Sequence, residues 1–238
     1  MPLFQSFRLL RHNLNILLIP ITLDLIVLAV MIATTGWQLH SQWSYRIVLE
    51  MGLPSVFHLF NIPLTWAHVI VMLVWAFAQG GYIKALVSII EGQPVRAAQV
   101  VKDGLKYWVP FAFLNITVLL AKAAASSLLI IMFGSIGAAA SLLLFMVMRV
   151  LAVYWEFTVV VDNVNFDTAF RRSMKYFKHN SLSAIGMALV MFAFSGAASV
   201  LANYFVMPAA VIVTMFVYSF IMSIIQLALM LTLRETKR

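Results

Sequence analysis

The chain contains no cysteine, which excludes disulfides, thiolate metal sites and cysteine nucleophiles. Charge is scarce as well. Lys and Arg number 16, Asp and Glu only 8, and charged residues fill 10% of the 238 positions, against about a quarter in a soluble domain. The motifs of common chemistries are missing too: no nucleophile elbow, P-loop, HExxH helix, dinucleotide glycine fingerprint or EF-hand loop occurs. His40, His58 and His68 share one side of the chain's predicted topology with Glu50, but their spacing matches no compact ligand motif. No enzyme activity, cofactor or metal is therefore expected.

What fills the chain instead is apolar sequence. Hydrophobic residues make up 63% and the mean hydropathy is +0.99. A soluble protein of this length cannot hide so much apolar surface, so lipid must be the solvent for most of it. The expected fold is all-α: a polytopic transmembrane bundle forming one integral membrane domain over residues 1–238. A span needs roughly 20 apolar residues. Six such runs occur, at about Leu14–Thr34, Pro63–Ile89, Trp108–Met132, Ala138–Val161, Leu182–Ala202 and Met207–Leu233. Phe133-Gly134-Ser135-Ile136-Gly137 reads as a tight turn between the third and fourth, and Pro208 suits the first turn of the last. Arg8 and Arg11 before the first run resemble a signal peptide, but the run is long and Asp24 interrupts it. An uncleaved first helix is the expectation.

Basic residues fix the orientation. Arg8, Arg11, Arg96, Lys102, Lys106, Arg171, Arg172, Lys175, Lys178, Arg234, Lys237 and Arg238 fall on one side, and Arg46 alone on the other. The positive-inside rule makes the first side cytoplasmic, with both chain ends there, in a cytoplasmic (inner) membrane. The net charge of +8 thus reports orientation and attraction to anionic lipid; nucleic acid is not an expected partner. The stretch Gln38–Asn61, rich in aromatics, is expected at the outer interface.

Two cytoplasmic connections are expected to be amphipathic elbow helices. In the first, Ala97, Ala98, Val101, Leu105 and Trp108 form the apolar face, opposite Arg96, Gln99, Asp103 and Lys106. In the second, Phe166, Phe170, Met174 and Phe177 oppose Asp167, Arg171, Lys175 and Lys178. Asp167–Arg171 is an i,i+4 pair in the favourable order, and Asn163 or Asn165 can cap the helix. The resulting cationic face of Arg96, Lys102, Lys106, Arg171, Arg172, Lys175 and Lys178 is expected to meet anionic membrane lipid or a membrane protein partner.

Polar residues inside the spans are the other candidates. Asp24 and Arg149 both fall about 15–20 Å from their entry surfaces and are expected to pair. Lys122 is expected to snorkel outward or join Asp24. Lys84, Asn115, Glu156 and Gln226 form a second layer roughly 10 Å from the inner boundary, with Lys84–Glu156 as its ion pair. Interhelical glue is the favoured role for these groups. Three small-residue runs, 123–127, 137–141 and 195–199, are expected to let helices meet closely.

Gln79-Gly80-Gly81-Tyr82 leads through Glu91-Gly92-Gln93 into Asp103-Gly104-Leu105, and Val160-Val161-Asp162 leads into Thr168-Ala169-Phe170-Arg171-Arg172-Ser173. This pattern, over roughly residues 60–205, resembles a broad set of poorly characterised bacterial six-helix membrane proteins. It is similar to the membrane domain attached to some glycerophosphodiester phosphodiesterases. The resemblance implies the same bundle with two amphipathic elbows. It implies no phosphodiesterase activity, since the soluble catalytic domain is absent from this chain. The expected function is that of a non-enzymatic scaffold, assembly factor or accessory subunit. The alternative is a small transporter or permease with a polar path near Asp24 and Arg149.

Overall fold

The structure, a computed structural model, describes residues 2–35, 66–204 and 208–237. The expected outer segment Gln38–Asn61, with Arg46, His40 and His58, lies outside them, as do the start of the second run and the His68 side chain. The described chain is helical, with no strand. In order it forms α1 (Pro2–His12), a 3-10 turn (Leu14–Leu17), α2 (Leu18–Thr35), α3 (Trp66–Ile90), α4 (Ala97–Leu151), α5 (Trp155–Asp162), α6 (Phe166–His179), α7 (Ser181–Tyr204) and α8 (Pro208–Thr236). Four described stretches are long and apolar enough to cross a membrane: Val69–Ile90, Ala97–Asp162, Ser181–Ala198 and Ala209–Thr236. The bent pair Pro2–His12 and Leu14–Val30 makes a fifth if it is one span. This is the build of a multi-pass membrane protein.

Two backbone events shape the long third stretch. At Gly134 the backbone takes φ 57 and ψ −132, a conformation that glycine alone adopts cheaply. A Cβ on Gly137 would fall 1.9 Å from the Leu129 carbonyl oxygen. On a straight helix residues eight apart are separated by about 12 Å, so the chain doubles back here, at the expected turn. The second event is a break between Leu151 and Trp155. It interrupts the fourth run, which had been expected to continue to Val161.

The first elbow differs from expectation in two ways. Residues 97–108 do not form a separate helix but run unbroken into α4. The elbow's apolar face is also exposed, and of its polar face Asp103 alone is buried while Arg96, Gln99 and Lys106 stay exposed. Asp103, Gly104 and Tyr107 are buried, while Val101, Leu105 and Trp108 are exposed. The side that packs inward is the one that carries the small residue Gly104, which lets the two helix backbones meet closely. The segment expected as the second elbow forms a distinct helix, α6. Asn165 caps it by accepting from the Thr168 N–H at 3.2 Å, and Ala169, Ser173 and Phe177 are buried.

The tightest helix contact is between α3 and α4, and glycine makes it. A Cβ on Gly80 would sit 2.5 Å from Tyr107 Cβ, one on Gly81 2.5 Å from the Val100 carbonyl oxygen, and one on Gly104 2.9 Å from the Phe77 carbonyl oxygen. Trp108 seals the edge by donating from Nε1 to the Leu73 carbonyl at 3.0 Å. Of the small-residue runs expected to play this part, 195–199 packs through the buried Ser195 and Ala198, with Ser195 bonded to Tyr218 of α8, and the others contribute less. Residues 123–127 are largely exposed, Gly137 serves the turn, and Gly196 has open space around it. Gly81→Ala should therefore cost about 1–3 kcal/mol, because helix backbones must separate to admit the methyl. Gly196→Ala should be neutral or stabilising by up to about 1 kcal/mol. Thermal melts of the two variants in detergent read the difference, and equal melting temperatures would refute the crossing.

Candidate functional site

The polar residues of the bundle gather around the break between α4 and α5. In hydrocarbon an interrupted helix is tolerated only where its freed backbone groups find partners. Here a tight turn supplies them: Ala152 N–H donates to Met148 C=O at 2.9 Å, Val153 to Val150 at 3.3 Å and Trp155 to Ala152 at 2.9 Å. The break leaves Arg149 in the last turn of α4 and Glu156 in the first turn of α5. Each charge thus sits at the helix end whose dipole favours it.

Arg149, Glu156 and Gln226 line a cavity of about 40 Å³, closed on its apolar side by Phe157, Met191 and Phe192. That volume admits about one to three waters. Glu156 accepts from Gln79 Nε2 at 2.8 Å, and Gln79 Oε1 accepts from Asn115 Nδ2 at 3.5 Å. All three side chains are buried. The Arg149 guanidinium stands 5.3 Å over the Phe192 ring, and the Lys122 ammonium 6.0 Å over Phe145. Lys122 also lies close enough to Arg149 and Glu156 to feel both charges. Five of the seven intramembrane candidates, Arg149, Lys122, Asn115, Glu156 and Gln226, therefore belong to one neighbourhood.

The two expected ion pairs do not form. Asp24, fully buried, accepts from Ser219 Oγ at 2.8 Å. Arg149 faces Phe192, Glu156 and Tyr218 instead. Tyr218, bonded to Ser195 Oγ at 2.8 Å, lies within reach of the charges of both Asp24 and Arg149. Similar depth had suggested the pair, but depth says nothing about which way a side chain points around its helix. Lys84 makes no ion pair among the described residues, and Gln79 takes its place at Glu156. Gln79, Ser219 and Ser223 were not singled out from the sequence. The signal was present on α8, where Ser219, Ser223 and Gln226 follow i, i+4, i+7 spacing and so share one face.

A second cluster forms at the charged end of the bundle. Asp162, whose side chain is 2% exposed, accepts from Arg172 Nη1 at 3.1 Å and Tyr176 Oη at 3.1 Å, and pairs with Lys237. Burial and the neighbouring carboxylate hold the Tyr176 phenol above its usual pKa, so it stays a donor. Asn163, left-handed at φ 49 and ψ 49, ends α5 and accepts from Lys106 Nζ and Tyr107 Oη, each at 3.1 Å. Arg234 meets Glu91 at 3.1 Å. The expected Asp167–Arg171 pair is present at 3.0 Å, on the exposed side of α6. Lys106 and Arg172 are thus engaged in holding helices together. Arg96, Lys102, Lys175 and Lys178 are exposed and make no ion pair among the described residues. No three His, Asp or Glu side chains gather as metal ligands among the described residues.

Comparison with protein-family models, with curated proteins and with solved structures finds no match to this chain. A double-mutant cycle tests the internal network. Gln79→Leu and Glu156→Gln should couple by about 0.6–2 kcal/mol in detergent melts. Asp24→Asn and Arg149→Gln should couple more weakly than that pair, since they meet only through Tyr218. A Gln79–Glu156 coupling of zero would break the network as described.

Proposed function

We propose that the chain is a non-enzymatic multi-pass protein of a bacterial cytoplasmic membrane, acting as a scaffold, assembly factor or accessory subunit. The observation that carries this reading is the set of helix-to-helix hydrogen bonds in the interior. Asp24 with Ser219, Glu156 with Gln79, Tyr82 with Ser223 and Tyr154 with Thr232 tie helix to helix around a cavity of water size. Polar groups spent on one another hold a bundle shut and leave action to its surfaces. Six spans with both chain ends in the cytoplasm fit the same picture. The doubling back at Gly134 divides the long stretch into two spans, and the 3-10 turn with α2 supplies another. The resemblance to the membrane domains of glycerophosphodiester phosphodiesterases adds architecture to this proposal and no activity. The surface proposed to act is the cytoplasmic one, where Arg96, Lys102, Lys175 and Lys178 face outward for anionic lipid or a membrane protein partner.

A small permease is the second reading, and one observation favours it. The α4–α5 break lies beside the Arg149–Glu156 cavity, and transporters place substrate sites at interrupted spans. Cysteine accessibility separates the two, since the native chain has no cysteine. A cysteine replacing Arg171 should react with a membrane-impermeant reagent in inverted vesicles and stay unlabelled in intact cells. One replacing Ala188, which lines the cavity, should be shielded from both sides. Labelling at 171 in intact cells would overturn the orientation, and labelling at 188 would favour the permease. For the cytoplasmic face, replacing Arg96, Lys102, Lys175 and Lys178 together with Gln should preserve insertion and melting temperature while lowering co-purifying phosphatidylglycerol and cardiolipin. Unchanged lipid retention would leave these charges with a topological role only.

A further inference from the structure

α1 was read from the sequence only as a basic lead into the first span, yet it forms a helix of its own set at 93° to the helical segment Leu14–Val30. Asn13 makes the corner: its φ of −134 and ψ of 47 leave the helix, and its Nδ2 closes α1 by donating to the Leu9 carbonyl at 3.0 Å. A helix perpendicular to a span lies along the membrane plane. Its eleven residues, about 16 Å long, are also too short to cross a hydrocarbon core of about 30 Å.

Its surface is three-sided. Ser6 and Leu10, one turn apart, are fully buried, and Phe7 meets Phe220 of α8 edge to face at 6.4 Å. Beside this packed side, Leu3, Phe4 and Phe7 are 43%, 66% and 46% exposed. Leu14 and Leu18 continue that apolar surface around the corner. The remaining side carries Gln5, Arg8 and His12, while the exposed Arg11 follows Phe4 and Phe7 in line on the apolar stripe, at its end next to the corner, where its long side chain can reach up to the headgroups. Arg8 reaches back over the Phe4 ring at 5.4 Å, joining the charged and apolar sides. A helix in water would not expose two phenylalanines in one turn. A helix inside the core would not place Arg8, Arg11 and His12 on it. One side on protein, one apolar and one cationic is the pattern of a helix at the headgroup–acyl boundary.

We propose that α1 lies in the plane of the inner-leaflet interface as an anionic-lipid anchor. Leu3, Phe4 and Phe7 dip among the acyl chains, while Arg8 and Arg11 bind phospholipid phosphates. Each cation near an anionic surface strengthens binding about fivefold, decaying over a Debye length. The anchor holds α8 through Phe220 and α2 through the Asn13 corner, so it couples the lipid composition of that leaflet to the packing of the bundle.

Single cysteines at Leu3, Phe4, Gln5, Phe7, Arg8 and His12, each carrying a nitroxide, test this in the full chain reconstituted in bilayers. Power saturation with oxygen and with a water-soluble nickel chelate reads depth. The expected profile is periodic, with positions 3, 4 and 7 below the phosphates and positions 5, 8 and 12 in water. Replacing phosphatidylcholine with a phosphatidylglycerol mixture should immobilise the Phe4 label, and Arg8→Gln with Arg11→Gln should reduce that gain at least fivefold. A depth that changes steadily from position 3 to 12 would make α1 part of a broken span and overturn the proposal. Water exposure at all six sites, or the same mobility in both lipids, would overturn it equally. The inference rests on the cytoplasmic orientation proposed above, and the two fail separately: a wrong orientation appears in the thiol labelling at position 171, a wrong placement of α1 in the depth profile.

Discussion

The backbone contact between α3 and α4 sets the distances on which the rest of the bundle depends. Gly80 and Gly81 on α3 and Gly104 on α4 let the two helices approach until Tyr107 Cβ and the Val100 and Phe77 carbonyls bound the space side chains would need. Gln79 is the next residue on α3, so the crossing fixes its position. From there its amide reaches Glu156 on α5 in one direction and Asn115 on α4 in the other. Hydrocarbon offers no competing water to these groups, so small errors in spacing become unsatisfied donors and acceptors. Van der Waals contact at glycine and hydrogen bonding at glutamine are therefore one device. The first supplies the reach that the second requires.

The helices were legible in the sequence because lipid demands long apolar runs, and such runs announce themselves. The last two runs, the turn at Gly134, the Asn165 cap and the Asp167–Arg171 pair all follow from local chemistry over a few residues. What failed was facing. The apolar residues of 97–108 were marked, but the packed side of Asp103, Gly104 and Tyr107 was not, because a period of 3.6 marks a stripe without saying which side meets the neighbouring helix. The pairing of Asp24 with Arg149 failed for a related reason. Depth along a helix is a sum of rises, whereas the direction of a side chain depends on which neighbour its helix turns toward. Ser219 was the partner, and its one signal in the sequence was the stripe it forms with Ser223 and Gln226.

Irregular backbone was the other blind spot. No proline or glycine occupies 151–155, so nothing in composition marks the break between α4 and α5. Its turn is held by backbone bonds among Met148, Val150, Ala152 and Trp155, and by Tyr154 bonding to Thr232 of α8 at 3.0 Å. Without the break Arg149 and Glu156 would stand two helical turns apart on one rod, about 10 Å along its axis. With it, each ends or begins a helix and both line one cavity. The sequence contains both residues, but only the tertiary partner on α8 explains why they share a space.

The charged end shows how a count of basic residues conceals a division of labour. The positive-inside rule weighs every lysine and arginine alike. In the folded chain Asp162 and Asn163, neighbours at the end of α5, collect Arg172, Lys237 and Lys106 together with two tyrosine hydroxyls. These cations serve as tethers that draw α4, α6 and the residue after α8 onto one point. Asp162 offsets part of their charge, while Lys106 and Arg172 stay partly open to the surroundings. The others, Arg96, Lys102, Lys175 and Lys178, keep an outward field of a few kT that decays within about 10 Å at moderate salt. Orientation during insertion can draw on all of them, since it precedes folding. Anything that meets the finished protein encounters this second set free of ion pairs among the described residues, together with Arg8 and Arg11 on α1, and meets the tethering cations only with their partners attached.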